Sequence, residues 1–470
     1  MSFPSIISAI SGFMYSKLLI IILLAGGLYF TVRTGFVQFR FLKESIKVVL
    51  EKPEKEGSVS SFQALMVSTA SRVGTGNIVG VASAICLGGY GAVFWMWVIA
   101  IVGGASAYVE STLAQIYKRR HPDGTSYGGP AYYIEAALGS RPLALLFAVS
   151  MLLTYAGGFN MLASYNLQST FSAYGFYQAN PKVMAWVIGG ILAVIVGFCL
   201  LGGGKRIVAA TSAIVPIMGG IYILVALVIT VMNIGILPSV LANIFTDAFD
   251  FTAIFGGFTG SCMMQGIKRG LFSNEAGVGS APNAAAAADV SHPVKQGLVQ
   301  MLSVFLDTIV ICSATALMCL CSGVEPAAEL AGAPYVQAAL QSALGSIGPI
   351  FITVSMILFA FTTLLGNFYY VDNLIIYILK RVPSKTFMTA FRIVGAVVIF
   401  IGAGLEMGLV WDIADVLMGI MAIINIPIII ILGKPAIRAL KDYAQQKEDG
   451  KNPVFKAETV GLKGKTDYWQ

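Results

Sequence analysis

The sequence predicts an all-α polytopic membrane domain, and three observations carry that prediction. Only 11% of the 470 residues are charged while 57% are hydrophobic; an ordinary soluble domain carries about 25% charged residues. Apolar runs of about twenty residues recur along the chain, each long enough to cross a bilayer as a helix. Two of those runs are interrupted in mid-segment by glycines and polar residues. No long polar stretch separates the runs, so the chain reads as one membrane domain with short loops.

Eleven spans are expected, near 17–33, 60–88, 91–117, 142–167, 183–201, 207–232, 252–272, 295–322, 346–380, 387–404 and 410–432. The first has no basic segment before it and no good cleavage site after Lys17, so it reads as a retained helix rather than a signal peptide. Residues 36–50 pair Phe36, Phe39, Leu42, Ile46 and Val49 with Arg40, Lys43 and Lys47, the pattern of a helix lying on a membrane surface. The tail from Lys434 to Gln470 is charged, contains Gly and Pro, and is expected to be disordered at its end.

Charge placement sets the expected orientation. Six of the thirty Lys and Arg lie between Arg33 and Lys55, and Lys118-Arg119-Arg120, Lys205-Arg206, Lys380-Arg381 and the tail continue the series. The intervening loops carry acids or nothing: 168–181, 233–251 with Asp247 and Asp250, 323–345 with Glu325 and Glu329, and the turn at Glu406. Basic loops stay cytoplasmic, which places the N-terminus outside and the C-terminus inside a plasma membrane. An odd number of spans fits that alternation.

The same placement excludes nucleic acid as the partner of the net charge of +7. Cys86, Cys199, Cys262, Cys312, Cys319 and Cys321 fall in or beside apolar segments and read as buried thiols rather than a disulfide framework. Only His121 and His292 are present, too few for a zinc centre or for the commonest catalytic bases. An enzyme is therefore disfavoured, no organic cofactor is expected, and no signalling domain or obligate protein partner is evident.

The interruptions carry the chemistry. One span contains Arg72-Val-Gly-Thr-Gly-Asn-Ile-Val-Gly80, with a break over 74–80; another contains Phe255-Gly-Gly-Phe-Thr-Gly-Ser261, with a break near 256–261. Such a break is costly in hydrocarbon unless it lines a cavity. With the helix of 1–35 and the segment 36–57 set aside, the remainder divides into two groups of five, 58–232 and 252–432, each opening on a broken helix. Two inverted repeats are expected from that match. Close helix packing through small residues is the competing reading, and matched breaks with polar residues inside them weigh against it. Free N–H groups at half-helix N-termini suit a carboxylate, and unwound carbonyls suit a hard cation such as sodium. Thr362 and Thr363, in an otherwise apolar stretch, offer hydroxyls to such an ion.

Intramembrane charges are functional candidates by default. Asp307 sits mid-span, where three roles stand open: tuning an ion site, carrying a proton, or holding two helices together. Glu110 lies near a helix end, where snorkelling or pairing is expected. Arg72 directly precedes the first break and is expected to neutralise an acid in a gate.

Val73 to Ala82, Gly88-Gly-Tyr-Gly-Ala-Val-Phe-Trp-Met-Trp-Val98, Gly128-Gly-Pro-Ala-Tyr-Tyr-Ile134 and Arg269-Gly-Leu-Phe-Ser-Asn-Glu-Ala-Gly-Val-Gly-Ser-Ala-Pro282 resemble the alanine or glycine:cation symporter family, the sodium:alanine symporters. His292 to Gln300 and Phe359-Ala-Phe-Thr-Thr363 agree, and the matches run in the family's order from about residue 60 to 375. The resemblance implies a LeuT-like fold of five plus five helices with one extra N-terminal helix. It also implies sodium-driven uptake of a small neutral amino acid, alanine or glycine, from a site in the lipid bilayer. On that pattern the N–H groups near Thr75 and Gly76 meet the substrate carboxylate, with Asn77 beside it. Ala70 and Val73 carbonyls, with Thr362 and Thr363, form the sodium site. Gly257, Phe258 and Thr259 wall the side-chain pocket.

Three positions depart from the family pattern. Ala163 stands where a Gln is frequent, Asn367 where a Trp is frequent, and Val371-Asp372 where Gly-Glu is usual. The first two bear on pocket size, which keeps glutamine open as a substrate and predicts that Asn367→Trp narrows the substrate range. A proton-coupled carrier of the same fold, with Asp307 as proton carrier, is the alternative within transport.

Overall fold

A computed structural model of the chain describes residues 2–120, 124–201, 203–250 and 261–469. Among these residues nine helices are long and apolar enough to cross a bilayer, and one bent pair makes a tenth. In chain order they are α1 (Phe3–Arg33), the bent pair α2 (Ser61–Arg72) and α3 (Gly76–Gly88), α4 (Gly91–Ile116), α5 (Arg141–Ala173), α6 (Pro181–Leu200), α7 (Arg206–Met232), α9 (Pro293–Leu320), α10 (Ile347–Leu379), α11 (Lys385–Ala403) and α12 (Met407–Glu448), with the shorter α8 (Cys262–Asn274) between α7 and α9. The seventh expected span, 252–272, has its first part outside the described residues; α8 covers its remainder. Among the described residues regular strand is confined to an antiparallel pair, Arg119–Arg120 with Ser126–Tyr127.

Local chemistry sets the starts of these helices. Ser60 opens α2 with a capping box: its hydroxyl accepts from the Gln63 N–H (3.1 Å) and its own N–H donates to Gln63 Oε1 (3.0 Å). Pro181 and Pro293 sit at the first helical positions of α6 and α9, where a missing N–H costs nothing.

The helix α4 is the centre of the molecule, packed against α1, α8, α9 and α12. Its approach to α8 depends on small residues. A Cβ on Gly266 would overlap the Ala92 carbonyl, and one on Gly270 would stand 2.6 Å from Ile99 Cγ2. These glycines are four apart, one turn of helix, and let two backbones meet where lipid offers no hydrophobic drive to bring them together. By contrast α6, α7 and α11 lie at the periphery, with Val194, Phe198, Ile217, Ile221, Ile393 and Val397 exposed on their outer faces. Those are the faces that meet hydrocarbon.

Two expectations change. The segment 36–50 is helical over Val37–Arg40 and Leu42–Val49 but turns at Phe36, which has a left-handed backbone (φ 58°). The tail is not disordered. The last helix, α12, continues past the expected end at 432 to Glu448, burying Ala436, Ala439, Leu440 and Tyr443. An apolar-run criterion stops at Lys434; the helix continues as an amphipathic one. Beyond it the chain turns back, with Phe455 N–H on the Ser291 carbonyl (3.0 Å) and Trp469 Nε1 on the Gln115 carbonyl (2.7 Å).

Candidate functional site

The first break is a real one. The last regular bond of α2 runs from Val73 N–H to the Thr69 carbonyl (2.7 Å), and α3 leaves at 54° to α2. The Gly74 N–H donates to Asn77 Oδ1 (2.9 Å) rather than to the carbonyl of Ala70. The helix resumes as a π turn over Gly76–Gly80, a geometry that recurs at functional sites. Two glycines let neighbouring helices close on this segment. A Cβ on Gly74 would overlap Thr363 Oγ1 of α10, and one on Gly76 would stand 2.6 Å from the Phe272 ring of α8.

A small cavity lies against the break. Arg72, Thr75, Gly76, Ala163, Glu275 and Thr363 line it, with Phe159 and Phe272 as apolar walls. It offers about 20 Å³ of accessible space, room for one water rather than an amino acid. The cavity as it stands admits nothing larger than a water. On one side the walls continue into a stack: Phe159 against Phe272 (5.0 Å), Phe272 against Trp411 (4.9 Å), and the Arg269 guanidinium 3.9 Å over Trp411. Arg269 and Lys268 both pair with the fully buried Asp415, at 3.3 and 2.8 Å.

Of the residues singled out in the sequence, Thr75, Gly76, Ala163 and Thr363 are brought together around the cavity. The Thr363 hydroxyl is buried without a hydrogen-bond partner among the described residues. Ala70 and Val73 are buried at the end of α2.

Three others are placed differently. Thr362 turns its hydroxyl to the Leu358 carbonyl (2.9 Å) and Met218 of α7, because adjacent helical residues point about 100° apart. Asn77 uses its amide within the chain: Oδ1 holds the Gly74 N–H, while Nδ2 donates to Ser273 Oγ (2.8 Å) and Asp307 Oδ1 (2.7 Å). Asn367 bridges Ser71 Oγ (2.7 Å) and Asn160 Oδ1 (2.9 Å) and does not line the cavity. A Trp at this fully buried position would break both bonds before it touched a ligand. Gly257, Phe258 and Thr259 lie outside the described residues.

Asp307, in a π turn over Phe305–Cys312, accepts from Asn77, Ser273 (2.6 Å) and Thr308 (2.9 Å). Donors surround it, so the site is not built for a cation. It ties α9 to the break and to α8 through these bonds. Its acceptance from Asn77 Nδ2 fixes which way that amide faces, and so keeps Oδ1 on Gly74.

The sequence reading missed Glu275, which caps α8 in a left-handed conformation (φ 51°) and lies opposite Arg72 across the cavity. It also missed Asp415, Lys268 and Arg269. Asp415 carries the signal that marked Asp307, an acid inside an apolar span. Glu275 sat inside one of the family-like strings without a role attached.

The geometry agrees with relationships across the whole chain. A family model described as the sodium:alanine symporter family matches residues 1–457. The chain belongs to that family. Being a sodium:alanine symporter family member makes it a transporter and not an enzyme. The amino-acid carrier protein AlsT of Bacillus subtilis is 47% identical over 470 residues, covering 100% of this chain and 98% of the relative. The probable sodium/glutamine symporter GlnT of the same organism is 45% identical over 453 residues, 96% of this chain and 92% of the relative. The sodium/alanine symporter AgcS of Methanococcus maripaludis is 38% identical over 459 residues, 96% and 100%. The solved structure of MhsT in complex with L-phenylalanine superposes with a TM-score of 0.56 at 15% identity, covering 88% of this chain and 97% of that one. That likeness shows a shared fold, the LeuT-like one.

Proposed function

We propose that this sodium:alanine symporter family member carries a small neutral amino acid into the cell together with sodium, by alternating access. Alanine or glycine is the first candidate and glutamine the second. The observation that carries the reading is the break itself: a helix bent by 54° inside the membrane domain, facing a closed cavity with an unpartnered Thr363 hydroxyl. The amide groups near Thr75 and Gly76 are the neutral receptors for a carboxylate. Thr363, with the Ala70 carbonyl that lacks the Gly74 N–H and the carbonyl of Val73, makes an all-oxygen set for sodium. Thr362 drops out of that set because its hydroxyl is used by its own helix. Relatives named for alanine and for glutamine support an amino acid and leave its size open.

The orientation belongs to the same proposal: N-terminus outside, C-terminus cytoplasmic. On that orientation the stack of Phe159, Phe272, Trp411 and the Arg269–Asp415 pair closes the outer path. Binding of sodium at Thr363 holds α10 against the break, and the closed cavity must open on one side at a time.

Uptake of labelled alanine, glycine and glutamine into proteoliposomes, under a sodium gradient and then a proton gradient, tests this. Accumulation that requires inward sodium is expected, and the ranking of the three reports the pocket size set near Ala163. Accumulation under protons alone, with sodium indifferent, would refute the coupling.

A further inference from the structure

We propose that Arg72 joins the amides near Thr75 and Gly76 in receiving the carboxylate of the transported amino acid, as a fixed cation built into the cavity wall. The inference rests on the cavity being the amino-acid site and adds the charged group that selects for it.

Arg72 is the last residue of α2, directly before the break, and its side chain is fully buried. A guanidinium has five N–H donors and no acceptor. One nitrogen, Nη1, bonds Ser303 Oγ of α9. Its Nε stands 4.0 Å from Glu275 Oε2, close enough to neutralise charge and too far for a hydrogen bond. Neither Nε nor Nη2 has a hydrogen-bond partner among the described residues. Those two nitrogens form one edge of the planar group, the edge that takes a carboxylate through two parallel bonds. So the unused donors of a buried charge form a carboxylate-shaped fork, and the residue lines the cavity.

A purely structural arginine is the competing role, and the donor count argues against it. A strut linking α2, α8 and α9 would be most stable with its donors used, since a buried charge with unmet donors is costly. Glu275 does have its own partner: Oε2 accepts from Ser280 Oγ at 2.5 Å. It therefore remains as counter-charge rather than closing on Arg72. An amino acid that brings both a carboxylate and an ammonium leaves the net charge of the cavity unchanged. Its carboxylate completes the fork, and its ammonium faces the Glu275 side. A ligand without the carboxylate leaves the fork empty.

The test is a ligand cycle on purified full-length protein in sodium: alanine and alaninamide, binding to wild type, Arg72→Gln and Arg72→Lys. Loss of the fork is expected to weaken alanine about 100-fold or more in Arg72→Gln, and alaninamide less than threefold. Arg72→Lys keeps the charge without the fork and is expected to fall between. Equal losses for the two ligands would mean a structural role, and alanine binding within threefold of wild type would mean no role; either overturns the inference. If alaninamide is too weak to measure in any protein, the alanine arm decides, in variants that still gain thermal stability from sodium. If Arg72→Gln does not melt cooperatively, Arg72→Lys is read alone. A loss of about tenfold for alanine with alaninamide unchanged then supports the proposal, and equal losses refute it. A wild type that binds no amino acid in sodium would refute the functional reading itself, which is a separate result.

Discussion

Arg72 and Glu110 both carry ionisable side chains, both buried and both inside the membrane domain, yet the chain treats them in opposite ways. Glu110 has a donor on each oxygen: the Gly277 N–H on Oε1 (3.2 Å) and Asn425 Nδ2 on Oε2 (2.8 Å). Asn425 in turn accepts from the Tyr133 hydroxyl (2.5 Å) and donates to the Gly277 carbonyl (2.9 Å). The network joins α4, the turn after α8, and α12, and its hydrogen bonds are complete. Around Arg72 they are not: the guanidinium has two idle nitrogens, and Thr363 across the break has an idle hydroxyl. Where the molecule needs a rigid joint, buried polar groups satisfy one another. Beside the break, Arg72 and Thr363 are left short among the described residues.

The comparison breaks most easily at Gly74. Its Cβ would overlap the Thr363 hydroxyl, so Gly74→Ala forces the Thr363 side chain aside and disturbs both the proposed ion set and the cavity. Transport is expected to fall about 100-fold, measured as initial alanine uptake by folded, reconstituted protein. Uptake near wild type would show that the close approach is dispensable. Glu110→Gln probes the other side of the contrast. The amide turns one acceptor into a donor and leaves a buried N–H unmatched, which costs about 1–3 kcal/mol. A lower melting temperature with alanine affinity within twofold is the expected result; an altered affinity at unchanged melting would place Glu110 in the site. Thr363→Ala is milder. Its hydroxyl has no hydrogen-bond partner among the described residues, so melting without sodium should not change. Half-saturating sodium should rise about tenfold, the worth of one lost oxygen ligand, with the amino-acid ranking preserved.

How much of this was readable in the sequence follows from the range of each interaction. The break at 74–80 announced itself locally, because glycines and polar residues inside an apolar run are too costly to be accidental. Long apolar helices such as α4 and α10 did the same. Which of Thr362 and Thr363 faces the break was not readable, since composition does not give the rotation of α10. Nor were the partners of Arg72 and Asp415, because Glu275 and Arg269 lie far away in the chain and are brought close only by α8 packing on α4. Asn77 shows the limit from the other direction. Its position beside the site was legible, but its amide is directed inward by Asp307, a bond made across the fold.

The tail shows the same limit, since its charges read as solvated while its two last aromatics close over a buried amine. Lys118 Nζ lies 3.9 Å from the Tyr468 ring and 5.0 Å from the Trp469 ring, and donates to the Ala288 carbonyl (3.1 Å). Burial pushes the Lys118 amine down to about 7, against the pull of Asp289 and Glu54. Released with the tail into water, it returns to its ordinary value near 10.4. Between those values the docked state binds fewer protons than the released one, so docking strengthens as pH rises from about 7 and is flat below. The gain is at most about tenfold per pH unit, and the ring faces, which favour the cation, oppose it. Hydrogen exchange of residues 455–469, corrected for its intrinsic pH dependence, should therefore slow between pH 7 and 9. Lys118→Met should remove that slope while Trp469→Ala loosens the segment at every pH, and alanine affinity should change less than twofold in both. A slope that survives Lys118→Met would assign the pH dependence to another group. The pair of His292 and Asp442, 3.2 Å apart at the same end of the molecule, would be the next to replace.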